Sequence, residues 1–546
     1  MAPEVAALRC AEALLRSLYQ KGMQEVIISP GSRSAPLVLA ASALGLRTHV
    51  ILDERSAAFF GLGAAERSGR PVGVICTSGT AAVNHGPAVV EADARGIRLV
   101  AITADRPPDL HGIGANQTIQ QTSLHSRWAT SIELPVAGSE TSAEWTEAGH
   151  RIATRGPTHI NAPFAEPFIP TGMMPIEPVD LSSPRVETSG GQTVADEPAA
   201  MPEINEMLDA LGPDPETLLS IGPGAHPEDV SAMLRFAERA GLPVLASAIG
   251  GARRPGTLGA MVFDEAFVEP FDLVLHVGGA HTTRGVLRHL EAAAGMITWD
   301  ERGRIQDPSA RLRPSVTVRG RFEPGILDAV RPRGSRLPWL VQLEQIAQRV
   351  LSESESQLSE PMVARLSARG LDDHWLMVGN STPVRDLERC IEPHQGRVTS
   401  NRGASGIDGV VSTICGSAAH GPVRGLVGDL SVLHDASGLL WLAPQSSATL
   451  AVLDNGGGGI FDLLPSAGLP EHERFFRTPH QGRLDRLLQA SGAEVVTITT
   501  TQELVSAWSL PQGPSMRVLH VKIDRDDGLR RREELVTEIR RAFAAI

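Results

Sequence analysis

Two short stretches in the last third of the chain set oxygen donors where a divalent cation could use them. Asp429 closes one apolar run, VRGLVGD, and Asn455 follows another, TLAVLD; the two stand 26 residues apart. Behind Asn455 come four glycines in a row, Gly456 to Gly459. A carboxylate, an amide oxygen and backbone carbonyls are hard ligands of the kind Mg2+ takes in octahedral geometry. Glycines let a backbone come close to a diphosphate and offer N–H donors with no side chain in the way. Either stretch alone reads as an ordinary strand–turn junction, where Asp, Asn and Gly are common. Together, at the carboxyl ends of two parallel strands, they read as one site, because open α/β sheets bind their ligands along that edge.

Such residues need strands to carry them. Short runs rich in Val and Ile, closed by Gly, Ser, Asp or Pro, recur along the whole chain. In the first third they are residues 25–30, 49–54, 72–79 and 98–105, and in the middle 217–224, 242–250, 271–279 and 296–300. In the last third they are 375–380, 396–401, 423–430, 449–455, 494–498 and 516–523, with helical stretches between. Near-continuous apolarity marks parallel strands covered on both faces and joined by crossover helices. Pro, Ser and Gly gather between about 170 and 200, which predicts a linker, and a second break falls between Arg331 and about Pro361, where a helical stretch carries SESESQLSEP. The pattern predicts an α/β protein of three doubly wound parallel-sheet domains, at residues 1–180, 195–345 and 360–546.

Composition narrows the partners. The 50 basic and 63 acidic residues leave a net charge of −13, which argues against nucleic acid, whose binders carry a basic stripe. No run reaches the ~18 apolar residues of a membrane span. The N-terminal MAPEVAALRCAEALLRSLYQKG is amphipathic and reads as a first helix, not a signal peptide. Four scattered cysteines without a CxxC pair fit reduced thiols in a cytoplasmic protein better than disulfides or zinc. The 54 glycines exceed the ~7% average. Seven of them from Gly403 to Gly428, with the run at 456–459, place the surplus where a backbone cradle is expected.

GDLS at 428–431 followed by DNGGGG at 454–459 resembles the metal- and diphosphate-binding motif of the thiamine diphosphate enzymes. That resemblance implies that Asp429, Asn455 and the carbonyl of Gly457 hold Mg2+ (or Mn2+), with Gly428, Leu430 and Ser431 also against the cofactor. Leu430 departs from the last Gly of the usual GDG. The resemblance also implies a Glu at the end of a strand in the N-terminal domain, and Glu54 of HVILDE stands there. In that family the carboxylate bonds N1′ of the aminopyrimidine and favours the imino tautomer, whose 4′-nitrogen takes the proton from thiazolium C2. Without the metal motif, Glu54 would read only as an acid favoured at a helix N-terminus.

Further stretches narrow the resemblance to one branch. They are ISPGSRSAPL (28–37), TADRPPDLHGIGANQTIQQ (103–121), GPTHINAPFAEPF (156–168), GNSTPVRD (379–386), SNRGASGIDG (400–409) and GGIFDLLP (458–465). Together they are similar to the 2-succinyl-5-enolpyruvyl-6-hydroxy-3-cyclohexene-1-carboxylate synthases of menaquinone biosynthesis, which have three domains of the thiamine diphosphate-enzyme type. The branch decarboxylates 2-oxoglutarate and adds the remaining unit to isochorismate in a 1,4 sense. By this resemblance Ser32, Arg33, Arg106, Asn116, Gln117, Ser381, Arg385 and Arg402 contact substrate, and Arg284 stands where the family often has Lys. Ile407 matches the residue that wedges between the cofactor rings, and Ile460, Phe461 and Leu464 match an apolar segment near the substrate. Both substrates are dianions, which asks for arginines. In so acidic a chain those arginines must be gathered in one place. The chain has no His-His pair, and a dry, histidine-poor pocket suits a carboligase that must keep its intermediate unprotonated.

In the family, Glu54 of one subunit would meet the diphosphate site of another, so a homodimer or homotetramer is expected. Two rivals remain. An acetolactate synthase type would often bind FAD in the central domain, yet GPGAHPED (222–229) lacks the third glycine of a dinucleotide loop. A non-catalytic protein that kept the fold would not bind the cofactor.

Overall fold

Continuous apolar runs leave the backbone no solvent to bond to, and parallel pairing is how this chain satisfies it. The computed structural model describes residues 2–170, 175–182, 201–300, 315–327, 330–371, 374–394 and 396–546. Among them every sheet pairing is parallel. The first sheet runs Arg47–Val50, Glu25–Ile28, Val72–Cys76, Leu99–Asp105, Thr158–Pro163, Thr130–Glu133 from edge to edge. The middle sheet runs Ser315–Arg319, Gly295–Asp300, Leu273–Val277, Thr217–Ile221, Val244–Ala246. The third runs Arg397–Thr399, Trp375–Val378, Val423–Gly428, Thr449–Asp454, Arg517–Lys522, Glu494–Ile498. Its order in chain terms is that of the first sheet, so the two outer domains are built alike.

Each predicted strand has a counterpart, most of them shorter, and the one expected at 49–54 lies earlier, at Arg47–Val50. Three were not foreseen: Thr130–Glu133, Thr158–Pro163 and Ser315–Arg319. Their Thr, Ser, His and Asn break the apolar signal, although Thr158–Pro163 is wholly buried and bonds its polar groups to Thr103. The chain also leaves the second strand at Val50, so Glu54 is not a strand end but the first residue of the helix Glu54–Ser68.

The predicted linker is partly structured. Val179 donates to Leu44 O at 2.9 Å and Arg16 to Glu177 O at 2.8 Å, folding residues 175–182 back on the first domain. The rest of that stretch, 171–174 and 183–200, lies outside the described residues. The helical stretch expected at the second break is the helix Leu337–Glu353, which ends within the acidic SESES run. Its Leu340, Leu343 and Leu351 share one core with the middle domain and with Leu535, Ile539 and Phe543 of the last helix, Arg525–Phe543.

The first and third domains also share a core, and glycines seal it. A Cβ at Gly63 would lie 2.0 Å from Thr413 O, and one at Gly416 would lie 1.9 Å from Phe60 O. At Gly409, with φ +56°, it would enter the Phe59 ring. The helices Glu54–Ser68 and Val410–Ala418 therefore touch backbone to backbone. Two of the seven glycines between 403 and 428, Gly409 and Gly416, serve this contact. Among the described residues no helix is long and apolar enough to cross a membrane, and the four cysteines are free and buried.

Candidate functional site

The carboxyl edge of the third sheet collects oxygen donors. The strand Val423–Gly428 runs straight into a helix starting at Asp429, and the neighbouring strand Thr449–Asp454 ends one residue before Asn455. Asp429 is buried. Its Oδ1 accepts from Leu430 N–H at 2.6 Å and its Oδ2 from Gly457 N–H at 2.8 Å, with His480 Nε2 at 3.3 Å. Burial still lifts its pKa above the ordinary carboxylate value, so a cation at this carboxylate would be welcome. For Asp454 burial is outweighed: hydrogen bonds from His520 (2.7 Å) and His480 (3.0 Å) bring it down to about 2. Asp429, Asp454 and His480 place one ligand atom each within 4.8 Å of one another.

Asn455 is held at both ends, Nδ2 donating to Glu360 at 2.5 Å and Oδ1 lying 3.3 Å from Arg477 Nη1. Gly457 has φ +153°, and a Cβ there would meet Arg477 O at 2.5 Å. Only glycine fits. Buried carboxylate, amide oxygen and glycine carbonyl are a donor set that fits Mg2+ or Mn2+. One expectation changes. The N–H of Gly457 goes to Asp429 and that of Gly458 to Arg477 O at 2.6 Å, so these donors are engaged inside the chain. His480 stands in the cluster beside Asp429 and Asp454. Leu430 and Ser431 follow Asp429 in the helix Asp429–His434, and a Cβ at Gly428 would meet open space.

Glu54 sits on the first domain. Asp53 caps its helix by accepting Ser56 N–H at 3.1 Å, and Asp53 also accepts from Ser437 at 2.7 Å. Arg55 donates to His434 O at 3.0 Å. The helix end is thus clamped to the third domain. Among the described residues no hydrogen bond or ion pair joins Glu54 to Asp429, Asn455 or Gly457. Val50, Leu52, Leu440 and Trp441 are exposed beside it, with Trp441 Nε1 on Val50 O at 2.8 Å.

The arginines fall into groups. On the first domain, Arg33 is buried, 3.5 Å from Glu166, and its pKa is lowered by burial and by Arg106. Arg106 donates to Ser78 Oγ and, at 2.7 Å, to Gln117 O. Ser32, Asn116 and Gln117 are exposed on the same edge. On the third domain, burial lowers both Arg385 and Arg402, and Arg385 lowers Arg402 further. Arg385 donates to Ser381 O at 2.8 Å and Arg402 to Asn380 at 3.3 Å. Gln117 and Ser381 both hold positive φ (54° and 76°), the kind of local strain that concentrates at functional sites. Arg284 stands apart and exposed at the start of the helix Arg284–Glu291. The expected single gathering is therefore two pairs and an outlier within one chain. Arginines do line a cavity of about 1520 Å3 between the domains, but Arg402 is the only predicted one there, beside Arg70, Arg95, Arg98, Arg155, Arg321 and Arg397.

Ile407 and Ile460 are half-buried, Phe461 packs on Phe476 at 5.7 Å between ring centroids, and Leu464 is exposed. The loop carrying Arg402 and Ile407 is fixed by residues the sequence did not single out. Glu91 accepts Gly403 and Ala404 N–H at 2.8 and 2.7 Å, and Asn380 donates to Asn401 O and Gly406 O, both at 2.7 Å. Asn380 lay inside a quoted motif; Glu91, Glu360 and Arg477 had no local signal.

Comparison with known proteins places these residues in context. Residues 8–124 match the family described as thiamine pyrophosphate enzyme, N-terminal TPP binding domain. A 2-succinyl-5-enolpyruvyl-6-hydroxy-3-cyclohexene-1-carboxylate synthase of Thermobifida fusca is 34% identical over 96% of this chain and 97% of its own length. The synthase of the same name from Chloroflexus aurantiacus is 34% identical over 95% of this chain and 94% of its own. That from Haloarcula marismortui is 33% identical over 88% of each.

Proposed function

Because the chain belongs to the 2-succinyl-5-enolpyruvyl-6-hydroxy-3-cyclohexene-1-carboxylate synthase family, we propose that it carries out that synthesis in menaquinone biosynthesis. It joins the succinyl semialdehyde unit of 2-oxoglutarate to isochorismate, with thiamine diphosphate and Mg2+ or Mn2+. The observation that carries this reading is the meeting of Asp429, Asn455 and Gly457 at two neighbouring strand ends, in a chain alike to such synthases along nearly its whole length. The same likeness favours this synthase over a carboligase of acetolactate synthase type.

Thiamine diphosphate, when bound, supplies a carbon nucleophile and holds the electron pair left by departing carbon dioxide. The rest is the work of side chains. Asp429, Asn455 and the Gly457 carbonyl would hold the metal. Glu54 would offer its carboxylate to the aminopyrimidine of the cofactor, at the start of a helix whose cap fixes it in place. Arg33 and Arg106 with Ser32, Asn116 and Gln117, and Arg385 and Arg402 with Ser381, would bind the substrate carboxylates. Burial strips water from Arg33, Arg385 and Arg402, which strengthens such pairing. Ile407, Ile460, Phe461 and Leu464 would line the water-poor side. Arg284 belongs to the site only if the middle domain closes towards it.

The exposed apolar surface at Val50, Leu52 and Trp441 supports a homodimer, or a homotetramer of two such pairs, in which a second copy covers it. Four free thiols support a cytoplasmic setting. The test is incubation with 2-oxoglutarate, isochorismate, Mg2+ and cofactor, following the loss of isochorismate absorbance. Turnover is expected, and Glu54→Gln should fold normally yet lose about a hundred-fold or more. No consumption of isochorismate sinks the function; near-wild-type turnover in the variant sinks the role of Glu54.

A further inference from the structure

Asn455 is the one candidate metal ligand whose two ends are chemically opposite. Its Oδ1 can hold a cation and its Nδ2 repels one, so something must decide which end faces the site. A buried chain of charges makes that decision. Asn455 Nδ2 donates to Glu360 Oε1 at 2.5 Å. The other oxygen of Glu360 accepts from Arg532 Nη2 at 2.7 Å. Arg532, on the last helix, also forks onto Asp386, with Nη2 to Oδ2 at 2.7 Å and Nη1 on Oδ1. Asp386 lies on the helix Thr382–Cys390, next to Arg385. Glu360, Asp386 and Arg532 expose only 9%, 2% and 9% of their surface, so water does not offer substitute partners. A carboxylate has acceptors only. Glu360 can therefore take Asn455 by its N–H2 and by nothing else, which turns Oδ1 away from Glu360, where it accepts from Arg477 Nη1 at 3.3 Å.

We propose that Glu360, fixed by Arg532 of the last helix, is a positioning residue that turns the Asn455 amide oxygen towards the metal; this rests on the reading of Asn455 as a ligand given above. Partners of this kind behind a metal ligand typically change metal affinity when they are removed.

Glu360→Gln tests it without changing size. Glutamine has one oxygen where glutamate has two. The charged Arg532 takes that oxygen, the glutamine N–H2 meets Asn455, and the Asn455 amide must turn its own oxygen to it, presenting Nδ2 to the metal. Mg2+ is titrated calorimetrically into the full-length protein with saturating thiamine diphosphate, and melting temperature reports folding. The Mg2+ midpoint should rise about 10- to 100-fold. Adding Asn455→Asp to Glu360→Gln should bring the midpoint back to within a few-fold of wild type, because a carboxylate has an oxygen at either end. Arg532→Lys keeps the charge but loses the fork and should raise the midpoint several-fold. A wild-type midpoint in Glu360→Gln, or a double variant no better than the single one, overturns the proposal; an unmoved midpoint in Arg532→Lys overturns the part given to Arg532. Asn455→Ala reads the ligand assignment separately: a raised midpoint supports it, and an unmoved one removes that assignment and the proposal with it.

Discussion

At the scale of single residues, burial decides what each titratable group can do. Burial pushes Asp429 up, whereas in Asp454 hydrogen bonds from His520 and His480 outweigh it and draw the group down to about 2. In the first domain His85 and His159 go the opposite way from a paired histidine. Burial holds both near a pKa of about 3, and neither ring nitrogen of His85 finds a partner among the described residues. The sign follows from linkage. Above pH ~6.5 both states are neutral and stability is complete. Below it the unfolded chain gains protons that the folded chain refuses, so stability falls as the pH drops towards 3. Melting temperature should therefore decline from pH 6.5 to 5, before ordinary carboxylates titrate, and His85→Leu should flatten that decline. Identical slopes in variant and wild type would refute the assignment. Asp429, Asn455 and Glu54 were legible in the sequence because residue type and a nearby strand are local signals. Glu360 and Glu91 were not, since their partners lie 95 and 312 residues away and nothing around them differs from a solvated acid.

At the scale of elements, helix contact sets where the chemistry stands. The helix that begins at Glu54 rests on the helix Val410–Ala418 with no room for a methyl group at Gly63 or Gly416. Gly416→Ala should cost about 1–3 kcal/mol, the usual penalty of overpacking, and lower turnover as well because Glu54 moves with its helix. Gly325→Ala, where a Cβ meets open space, is the control. Differential scanning calorimetry beside the isochorismate assay checks both, and an unshifted melting temperature in Gly416→Ala would count against the contact. The strands themselves were readable wherever apolarity was continuous. Those with alternating Thr, His and Asn were not, because their burial comes from polar side chains that pair across the sheet, as Thr103 does with His159 and Asn161.

At the scale of the molecule, the two halves of the proposed site sit on two different domains, and among the described residues no hydrogen bond or ion pair joins Glu54 to Asp429, Asn455 or Gly457. Mixing separately inactive Glu54→Gln and Asp429→Asn proteins under conditions of subunit exchange tests whether the two halves meet between copies. A mixed dimer pairs the intact Glu54 of one copy with the intact Asp429 of the other, so about a quarter of wild-type sites should return in a symmetric pair. Sites built within one chain would return none. That experiment needs a way to watch subunits exchange, and the buried cysteines supply it. Burial raises the thiols of Cys10 and Cys76 and lifts Cys390 and Cys415 to about 12, so no native thiolate is on offer to an electrophile. A single cysteine introduced on the surface can then carry a maleimide dye alone, with the four native residues left in place.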